Sequence, residues 1–508
     1  MRSPERLALC VDDGDVSYAE LARLGRTIAG WLIAASGGRA ERIGVLAGRS
    51  LGAYAGVVGA CWAGGTYVPL SLAWPDDRLI ATLRLTQLDA LIIDAEAAGR
   101  LSPDLCAACP KAILVADAPN AGTAADGLRH LGSLSDRPDL APVRRDDAHI
   151  AYIIFTSGTT GAPKGVQIRL GAITAHLAEI QAVYGFTADE RISLAPDLTF
   201  DPSILNMFMA WNAGASLHVV PRDHLIAPID FIQDHALTVW NSTPATIGVL
   251  LRLGALAEGA LPSLRISIFG GDTLTLEAAR AWARAAPASV VDNLYGPTEA
   301  TIECLHQRLT DPPVVTPGRG SLALGLPYPG VEVAIVDEAL SLLPPGETGE
   351  LAISGRQLAA GYLDQPALTA ARFPLIDGVR WYLTGDKAWR DADGRVHHLG
   401  RLDDQVKVRG HRVELGDVES HVRAVCGTQQ AAAVAWPVGD GSATGIVAFV
   451  AGLAGDLDPS TDTIRAAVAL RVPPYMAPQS IRRLGRLPMT AHGKVDRRAL
   501  IALLDAGA

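Results

Sequence analysis

The sequence predicts an α/β protein with a large N-terminal lobe of βαβ-type sheets, a β-rich subdomain and a small mobile C-terminal α+β lobe. Its 508 residues exceed what one hydrophobic core usually organises, so at least two domains are expected. Over residues 1–400, apolar β-branched runs alternate with helical patterns, which is typical of βαβ units. The pattern changes near Val331 and again near Arg401.

Short apolar runs bounded by turn residues indicate buried strands in the first part of the chain. These predicted strands are Ile43–Leu46, Ala90–Ile93, Ala112–Val115, Ile150–Phe155 and Ser267–Phe269. Helical spacing of apolar residues predicts helices over Gly171–Tyr184 and Leu274–Ala286. The segment Asp117–Arg145 is rich in proline, glycine and aspartate, so it is predicted to be a surface connection.

The second part of the chain has a different pattern. Strands separated by Pro/Gly turns, Val331–Val336 and Gly349–Ser354, predict the β-rich subdomain. Three further elements are predicted after it: helical spacing over Arg409–Arg423, a strand at Ile446–Val450 and a helix at Thr463–Arg471. We therefore expect a large lobe over residues 1–400 and a small lobe over 404–508, with the boundary at 401–403, where the resemblance described below implies a hinge.

Composition excludes several classes of protein. With 44 basic and 54 acidic residues the net charge is −10 and there is no long basic run, which argues against nucleic-acid binding. The uncharged stretch Ala53–Trp74 contains Gly64-Gly65 and Pro69, so we predict a short helix running into a strand and not a membrane span. The N-terminus lacks the plan of a signal peptide, and a cytoplasmic location is expected. The six cysteines are scattered, and Cys106-x-x-Cys109 is predicted to be two unlinked thiols.

The loop Thr156–Gly165 follows the predicted strand Ile150–Phe155 and is dense in phosphate-binding chemistry. Its glycines, hydroxyls and single lysine can surround anionic oxygens with N–H groups and a positive charge. It is not a Walker loop, because the spacing from glycine to lysine is wrong and no Ser or Thr follows Lys164. The residues expected to bind phosphate are Thr156, Ser157, Gly158, Thr159, Thr160 and Lys164.

Ten motifs in sequence, this loop among them, cover nearly the whole chain. The other nine are Val16–Leu21, Ala63–Leu70, Phe200–Ser203, Asn293–Glu299, Gly349–Leu351, Tyr382–Asp386, Gly400–Lys407, Pro473–Pro478 and Gly493–Arg497. In this order they resemble the adenylate-forming superfamily, which includes acyl-CoA synthetases, firefly luciferase and the adenylation domains of nonribosomal peptide synthetases. The resemblance is to the last group. It implies activation of an amino acid by ATP and Mg²⁺ as an aminoacyl-AMP.

The resemblance also implies roles for residues at the nucleotide. Tyr295 would pack on the adenine, Asn293 and Gly271 would lie along the base edge, and Gly296 and Thr298 belong to the same motif. Asp386 would accept both ribose hydroxyls, since an ionised carboxylate can accept two hydrogen bonds, and Arg401 would donate to the same sugar. Glu299 would bind Mg²⁺.

Lysine usage supports the catalytic roles that the resemblance implies. The chain has five lysines, of which Lys164, Lys407 and Lys494 lie inside the motifs and Lys387 directly follows one. Lys494 is the expected catalytic residue, bridging the substrate carboxylate and the α-phosphate. Lys407 and Gly410 are expected to serve a second, thioester-forming step, and Asp403 matches the family's hinge between two alternating poses.

Asp201 defines the class of acid, because the matching aspartate in amino-acid-activating relatives pairs with the substrate ammonium. The alternative is that Asp201 caps a helix beginning near Ser203. The rest of the expected pocket is Pro202, Leu205, Asn241, Ile268, Gly270, Leu294, Ile302 and Glu303. Apolar walls with two polar groups favour a Ser- or Thr-like amino acid, while a β-amino acid or a small diamino acid stays open.

The chain stops at Ala508 without a carrier segment, so we expect a freestanding enzyme that loads the phosphopantetheine thiol of a separate carrier protein. A small activator protein is a further partner that some relatives require. Three alternatives remain at this point: a D-alanine–carrier ligase, an acyl-CoA synthetase and a non-catalytic scaffold of the same fold. Intact Lys494, Glu299, Asp386 and Lys164 argue against the scaffold.

Overall fold

The structure is a computed structural model of the chain and describes residues 3–116, 128–156, 163–439, 442–451, 460–490 and 495–507. The strands are β1 Leu7–Val11, β2 Gly14–Ser17, β3 Arg42–Leu46, β4 Thr66–Leu70, β5 Ala90–Ile93, β6 Ala112–Val115, β7 Arg129–His130, β8 Ile150–Thr156, β9 Lys164–Arg169, β10 Arg191–Leu194, β11 Ser216–Val219, β12 Val239–Ser242, β13 Ile266–Phe269, β14 Val290–Tyr295, β15 Leu305–Arg308, β16 Leu326–Pro327, β17 Val331–Val336, β18 Thr348–Gly355, β19 Gly361–Tyr362, β20 Leu375–Ile376, β21 Val379–Arg380, β22 Tyr382–Arg390, β23 Val396–Arg401, β24 Gln405–Val408, β25 His411–Glu414, β26 Ala431–Ala435, β27 Val438–Gly439, β28 Ser442–Ala443, β29 Ile446–Ala451 and β30 Ser480–Leu484.

The α-helices lie between these strands. They are α1 Tyr18–Ala35, α2 Leu51–Trp62, α3 Asp76–Thr86, α4 Ala95–Ala98, α5 Pro103–Ala108, α6 Leu170–Tyr184, α7 Asp201–Ala213, α8 Ile229–Asp234, α9 Pro244–Arg252, α10 Leu276–Ala285, α11 Pro366–Arg372, α12 Leu415–Cys426, α13 Thr461–Ala469 and α14 Arg497–Asp505. Short 3-10 turns occur at Leu131–Ser133, Arg222–His224, Thr298–Ala300 and Pro474–Met476.

Two large, mainly parallel sheets form the first lobe. Within the described residues, one runs in the order β16-β15-β14-β13-β12-β10-β11-β1-β2 and the other in the order β19-β9-β8-β4-β3-β5-β6-β7. Strands β10, β12, β13 and β14 run parallel, so their carboxyl ends meet at one edge. In open α/β sheets that edge is where ligands bind, and this placement positions the site described below.

The β-rich subdomain and the small lobe follow along the chain. Strands β17, β18, β22 and β23 form an antiparallel sheet, of which β23 ends at Arg401. The small lobe has two sheets of its own, β25-β24-β28-β27 and β26-β29-β30. The α/β class with a large first lobe and a smaller second lobe is confirmed.

Most predicted elements lie within one or two residues of the observed ones, and β5, β6 and β17 have the predicted bounds. The stretch Ala53–Trp74 forms most of α2 and all of β4, and no helix in the described part of the chain is long and apolar enough to cross a membrane. The helical prediction over Arg409–Arg423 is wrong at its start, because β25 precedes α12. Part of Asp117–Arg145 lies outside the described residues. No disulfide joins any of the six cysteines, all of which lie in the described residues, and Cys106 and Cys109 are unlinked as predicted.

Candidate active site

The predicted amino-acid pocket is assembled at the carboxyl ends of the parallel strands. Asn241 on β12 is in register with Ile268 on β13. Gly270, just after β13, packs closely on Leu294 of β14, because a Cβ built on Gly270 would lie 3.3 Å from the Leu294 carbonyl oxygen. Asn241 donates through Nδ2 to Asn206 Oδ1 at 2.7 Å, which ties β12 to helix α7, the helix that begins with Asp201. Residues far apart in the chain therefore lie together at one edge.

Asp201 is the first residue of α7, so the helix begins earlier than the alternative interpretation assumed. The residue before the helix, Phe200, makes no side-chain cap, and Asp201 is not a cap residue. Ser203 does not cap it either, because its hydroxyl donates to the carbonyl oxygens of Leu198 and Phe200. The capping explanation for Asp201 is therefore wrong, and its carboxylate is available for another role.

The Asp201 carboxylate is held in an unfavourable environment. Among the described residues its Oδ2 is shielded from solvent and has no hydrogen-bond partner. Burial raises the pKa of Asp201 to about 7, a hydrogen bond from Thr298 opposes the rise, and the charges of Glu303 and Glu299 add to it. A buried carboxylate of this kind is stabilised by a cation. The arrangement suits a substrate ammonium group.

The loop after β14 has a backbone conformation that few residues other than glycine adopt. Thr301 and Ile302 both have left-handed backbone angles, φ +59° and +70°, although both are β-branched. The Thr301 hydroxyl donates to the Gln357 carbonyl oxygen, which helps to hold this conformation. A Cβ on Gly296 would lie 2.3 Å from the Glu303 Cα, so only glycine permits the loop to fold back on itself. This fold presents Ile302 and Glu303 to the pocket.

Glu303 is a second buried carboxylate in the pocket. Its Oε2 lies 3.4 Å from His176 Nε2, but in the described structure neither atom has a hydrogen-bond partner. Gln357 Nε2 donates to His176 Nδ1 at 2.9 Å, which places the ring proton of His176 on Nε2, facing Glu303. The same amide nitrogen donates to the Glu303 carbonyl oxygen at 2.9 Å. The polar end of the pocket is thus fixed by His176 and Gln357.

The pocket walls are apolar, as the sequence indicates. Leu205, Ile268 and Ile302 are buried, with exposed fractions of 0–3%. Pro202 is partly buried beside Asp201 in the first turn of α7. Two buried acids therefore project into otherwise apolar surroundings, where charge interactions are strong.

The nucleotide end of the site is centred on Asp386 of β22. Asp386 is in register with Arg401 at the end of β23, and Arg401 Nη1 donates to Asp386 Oδ1 at 2.9 Å. The Tyr295 hydroxyl donates to Oδ2, and His398 Nε2 lies 3.3 Å from Oδ1. Burial alone would raise the pKa of Asp386, but His398, Arg401 and Lys407 hold it well below its usual range. The carboxylate therefore stays ionised and can accept hydrogen bonds.

Other predicted nucleotide residues lie near the same strand ends. Asn293 on β14 donates to the Ala323 carbonyl oxygen at 2.8 Å, and among the described residues its buried Oδ1 has no partner. Gly271 has a left-handed backbone just after β13, with φ +80°. Thr156 and Lys164, at the two ends of the predicted phosphate loop, are paired across β8 and β9. Ser157, Gly158, Thr159 and Thr160 lie outside the described residues.

Glu299 is the candidate magnesium ligand, and only 1% of it is exposed. Tyr362 donates its hydroxyl to Oε1 at 2.8 Å, and Arg412 Nη1 donates to Oε2 at 2.9 Å. Although burial raises the pKa of Glu299, Arg412 and these hydrogen bonds lower it below its ordinary value. One ionised carboxylate fits Mg²⁺, which often takes one or two carboxylates plus substrate phosphates. Mg²⁺ can use Oε2 only when Arg412 has withdrawn.

Arg412 belongs to a hairpin of the small lobe that lies against the large lobe. This hairpin comprises β24 and β25, and we call it the inserted hairpin. Gly410 at its turn packs on Thr243, because a Cβ there would lie 2.4 Å from the Thr243 Cγ2. Glu414 Oε1 lies 3.4 Å from Lys164 Nζ. The inserted hairpin therefore contacts both the magnesium candidate and the phosphate-loop lysine.

A cluster of three aromatic rings joins the two lobes next to Asp201. His411 stacks on Tyr475 with ring centroids 4.3 Å apart and lies tilted against Phe200 at 4.7 Å. Burial lowers the pKa of His411 to about 4, so the ring is neutral near pH 7. Because Phe200 precedes Asp201, this ring cluster lies beside the start of α7.

Lys407 and Asp403 lie where the two lobes meet. Lys407 on β24 has an exposed side chain whose charge acts on both Asp386 and Asp272. The Asp403 carboxylate accepts hydrogen bonds from Arg401 Nε at 2.8 Å and Arg401 Nη2 at 2.7 Å. The predicted hinge residue is therefore held by the arginine that is predicted to bind the ribose. Lys494 lies outside the described residues. Its neighbours Met489 and Val495 pair with each other, and Val495 packs on the small-lobe cluster with Leu500.

Sequence reasoning missed several residues of the site. His411, Arg412 and Glu414 come soon after Lys407 and Gly410, so extending the Gly400–Lys407 motif by seven residues would have included them. His176 and Gln357 carried no signal, because they reach Glu303 only through folding. Tyr362 and His398 likewise contact Glu299 and Asp386 through β19 and β23.

The chain is similar to known proteins over its whole length. It matches the family model of AMP-binding enzymes over residues 1–363 and that of the AMP-binding enzyme C-terminal domain over residues 417–494. It is 34% identical to the AMB antimetabolite synthetase AmbB of Pseudomonas aeruginosa and 33% identical to the phosphinothricin tripeptide synthetase PhsC of Streptomyces viridochromogenes, in each case over 98% of this chain. The chain spans 38% and 44% of the lengths of these relatives. The structure of the adenylation domain AlmE of Vibrio cholerae, in complex with glycyl-adenosine-5'-phosphate, matches with a TM-score of 0.87 and 30% identity, covering 99% of this chain and 96% of that one.

Proposed function

Because this chain belongs to the family of AMP-binding enzymes and is an adenylation domain of the nonribosomal peptide synthetase type, we propose that it activates a small amino acid. The amino acid carboxylate attacks the α-phosphorus of ATP, pyrophosphate leaves, and an aminoacyl-AMP forms. A phosphopantetheine thiol of a carrier protein then attacks the acyl carbon, and AMP leaves. The observation that carries the proposal is the buried Asp201 Oδ2, which has no partner among the described residues.

The roles of the large-lobe residues follow from their placement. Asp201 would pair with the substrate ammonium, which offsets the cost of burying its charge. Asp386 and Arg401 would hold the ribose, and Lys164 with the loop before it would hold phosphate. Mg²⁺ bound to Glu299 would neutralise charge on the phosphates. These groups position the carboxylate for in-line attack, which is where most of the rate of such transfers originates.

The inserted hairpin supports a role for Lys407 in the second step. With Arg412 on Glu299 and Glu414 near Lys164, the hairpin contacts the groups that ATP and Mg²⁺ would use. Lys407 stands exposed near Asp386 in this arrangement. We therefore assign this pose to thioester formation. Adenylation then requires the small lobe to turn about Asp403 and bring Lys494 to the α-phosphate.

The pocket favours a small polar amino acid of the serine or threonine class. Leu205, Ile268 and Ile302 supply apolar walls, and Asn241 and Glu303 supply polar groups. A small diamino acid is the second candidate, because Glu303 Oε2 is buried and, among the described residues, has no hydrogen-bond partner. A second ammonium would satisfy that oxygen, as the first satisfies Asp201.

Amino-acid-dependent exchange of pyrophosphate into ATP tests the proposal. We expect exchange with one or a few small amino acids from a panel that includes β- and diamino acids, and none with fatty or aryl acids. A panel in which only fatty or aryl acids support exchange would remove the assignment. Glu303→Gln separates the two substrate classes: it should weaken a diamino substrate at least tenfold and change serine or threonine little.

Lys494→Ala tests the catalytic assignment. Because its ammonium group would stabilise charge that develops at the α-phosphate, we expect the exchange rate to fall at least a hundredfold, a loss of about 2.7 kcal/mol. ATP binding, followed by equilibrium dialysis, should remain. Lys111→Ala is the matched control, since Lys111 is exposed and lies outside the motifs. Exchange near the native rate in Lys494→Ala would contradict the role.

A further inference from the structure

A thiol and two imidazoles converge far along the large sheet from the candidate active site. Cys10 on β1 and His218 on β11 are direct partners in the parallel register, so their side chains leave the same face of the sheet. His235 follows the last residue of α8 and reaches the same point. We call Cys10, His218 and His235 the thiol–imidazole cluster.

The distances in the thiol–imidazole cluster fit a metal centre. Cys10 Sγ lies 3.7 Å from His235 Nδ1, which lies 3.1 Å from His218 Nδ1, and the three possible ligand atoms lie within 4.8 Å of one another. Tetrahedral Zn²⁺ with bonds of about 2.3 Å to sulfur and about 2.05 Å to nitrogen separates sulfur from nitrogen by roughly 3.5 Å and the nitrogens by roughly 3.3 Å. The Cys10–His235 and His235–His218 distances are within a few tenths of an ångström of those values, and the remaining Cys10–His218 distance is at most 4.8 Å.

We propose that Cys10, His218 and His235 bind a Zn²⁺ ion through Sγ and the two Nδ1 atoms. Thiolate and imidazole ligands together favour zinc over magnesium or calcium, which prefer oxygen. Three protein ligands leave a fourth position for water.

The surroundings fix the ligating nitrogen of His218. The Ser216 hydroxyl donates to the Glu190 carbonyl oxygen at 3.3 Å, so its lone pair is left to accept the Nε2–H of His218 at 2.9 Å. The proton of the ring is thereby placed on Nε2, and Nδ1 presents a lone pair to the cluster. Metal-bound histidines are commonly oriented by such a partner on the other ring nitrogen.

Space and charge next to the cluster favour a hydrated cation. Cys10 and His235 line a cavity of about 190 Å³, which is large enough for a metal-bound water. Asp12 and Asp234 line the same cavity, and Asp15 is the register partner of Cys10 on β2. Carboxylates around the cavity attract a divalent cation.

A hydrogen bond from His235 Nδ1–H to His218 Nδ1 is the competing explanation of the 3.1 Å distance. In that case the Cys10 thiol, which also has a hydrogen bond with Asp15, would be a neighbour of the imidazole pair and not a ligand. The two explanations differ in whether the protein retains zinc, which can be measured.

The full chain is stripped with a chelator, dialysed, and titrated with Zn²⁺ against a chromophoric competitor, and bound metal is counted by mass spectrometry. Cobalt substitution gives a second readout, because tetrahedral Co²⁺ with a thiolate ligand shows strong visible and charge-transfer bands. The variants are Cys10→Ser and His235→Gln, with Cys106→Ser and His224→Ala as matched controls. Cys106 is an exposed thiol, and His224 lines the same cavity but is not in the cluster.

We expect one equivalent of Zn²⁺, a tetrahedral Co²⁺ spectrum, and at least a tenfold loss of affinity in Cys10→Ser and His235→Gln only. Pyrophosphate exchange in these variants should stay near native, which shows that they fold and separates this proposal from the proposed function. A native chain without bound Zn²⁺, an octahedral Co²⁺ spectrum, or native affinity in Cys10→Ser would each overturn the site and leave a hydrogen-bonded imidazole pair only.

Discussion

The charge state of Asp201 should control the affinity for the amino acid between pH 6 and 8. The carboxylate must be ionised to pair with an ammonium group, and burial raises its pKa to about 7 in the free protein. About one molecule in eleven is then ionised at pH 6 and about ten in eleven at pH 8. The apparent affinity for the amino acid scales with the ionised fraction of Asp201. KM for the amino acid should therefore be about tenfold higher at pH 6 than at pH 8, which corresponds to about 1.4 kcal/mol of binding free energy.

The assay is pyrophosphate exchange with the amino acid varied at saturating ATP and Mg²⁺. At saturating amino acid the rate should change much less, because the bound ammonium keeps Asp201 ionised. In Asp201→Asn, KM should be higher at every pH and nearly independent of pH. Asp189→Asn is the matched control, because that carboxylate is exposed and should leave the native pH profile unchanged.

Thermal unfolding of the free protein gives an independent readout of the same group. A carboxyl whose pKa is raised by folding stabilises the native state at low pH, and this stability is lost as the pH rises through about 7. Asp201→Asn should therefore melt at a higher temperature than the native chain at pH 8, and the difference should shrink towards pH 5. A native KM that is constant from pH 6 to 8 would refute the reasoning, since it would mean that Asp201 is ionised throughout.

Two further changes test the small-lobe contacts and the pocket loop. Arg412→Ala leaves the Glu299 charge buried without its cation in the observed pose, which should destabilise that pose by about 2 kcal/mol. Carrier loading should then slow about thirtyfold, while pyrophosphate exchange persists at equal or lower Mg²⁺ concentration. Loss of both activities together would contradict this. Gly296→Ala forces a Cβ against the Glu303 backbone, so it should lower the free energy of unfolding by about 1–3 kcal/mol and raise KM for the amino acid. Gly485→Ala is the control, because a Cβ there meets nothing within 4 Å, and it should melt like the native chain.

The sequence predicted the strands well where they are buried on both faces. Strands such as β5 and β6 are continuous apolar runs bounded by turns, and that signal does not depend on distant contacts. The beginning of β25 was misassigned because Arg409–Arg423 has helical spacing overall, and pairing with β24 decides that its first residues are extended. Local sequence patterns therefore predicted which strands and helices form, but not where each of them begins and ends.

The sequence could group candidate site residues where a motif places them together in the chain. Asn293, Tyr295 and Glu299 lie within one motif, and the fold needs only one strand end to present them. His176 reaches Glu303 from helix α6, and no spacing in the sequence indicates that contact. The thiol–imidazole cluster has the same origin, because Cys10 meets His218 through strand register across 208 residues.

The pairing of Glu299 explains how one carboxylate can serve two steps. An ionised carboxylate that is 1% exposed needs a cation at all times, because an unpaired buried charge costs several kcal/mol. In the observed pose Arg412 is that cation, and Mg²⁺ would replace it when the triphosphate binds. If Glu299 binds Mg²⁺ as proposed, the two cations would compete for Oε2, and Mg²⁺ would disfavour the observed pose. Raising Mg²⁺ with ATP should therefore shift the small lobe away from the observed pose, and Arg412→Ala should reduce that dependence.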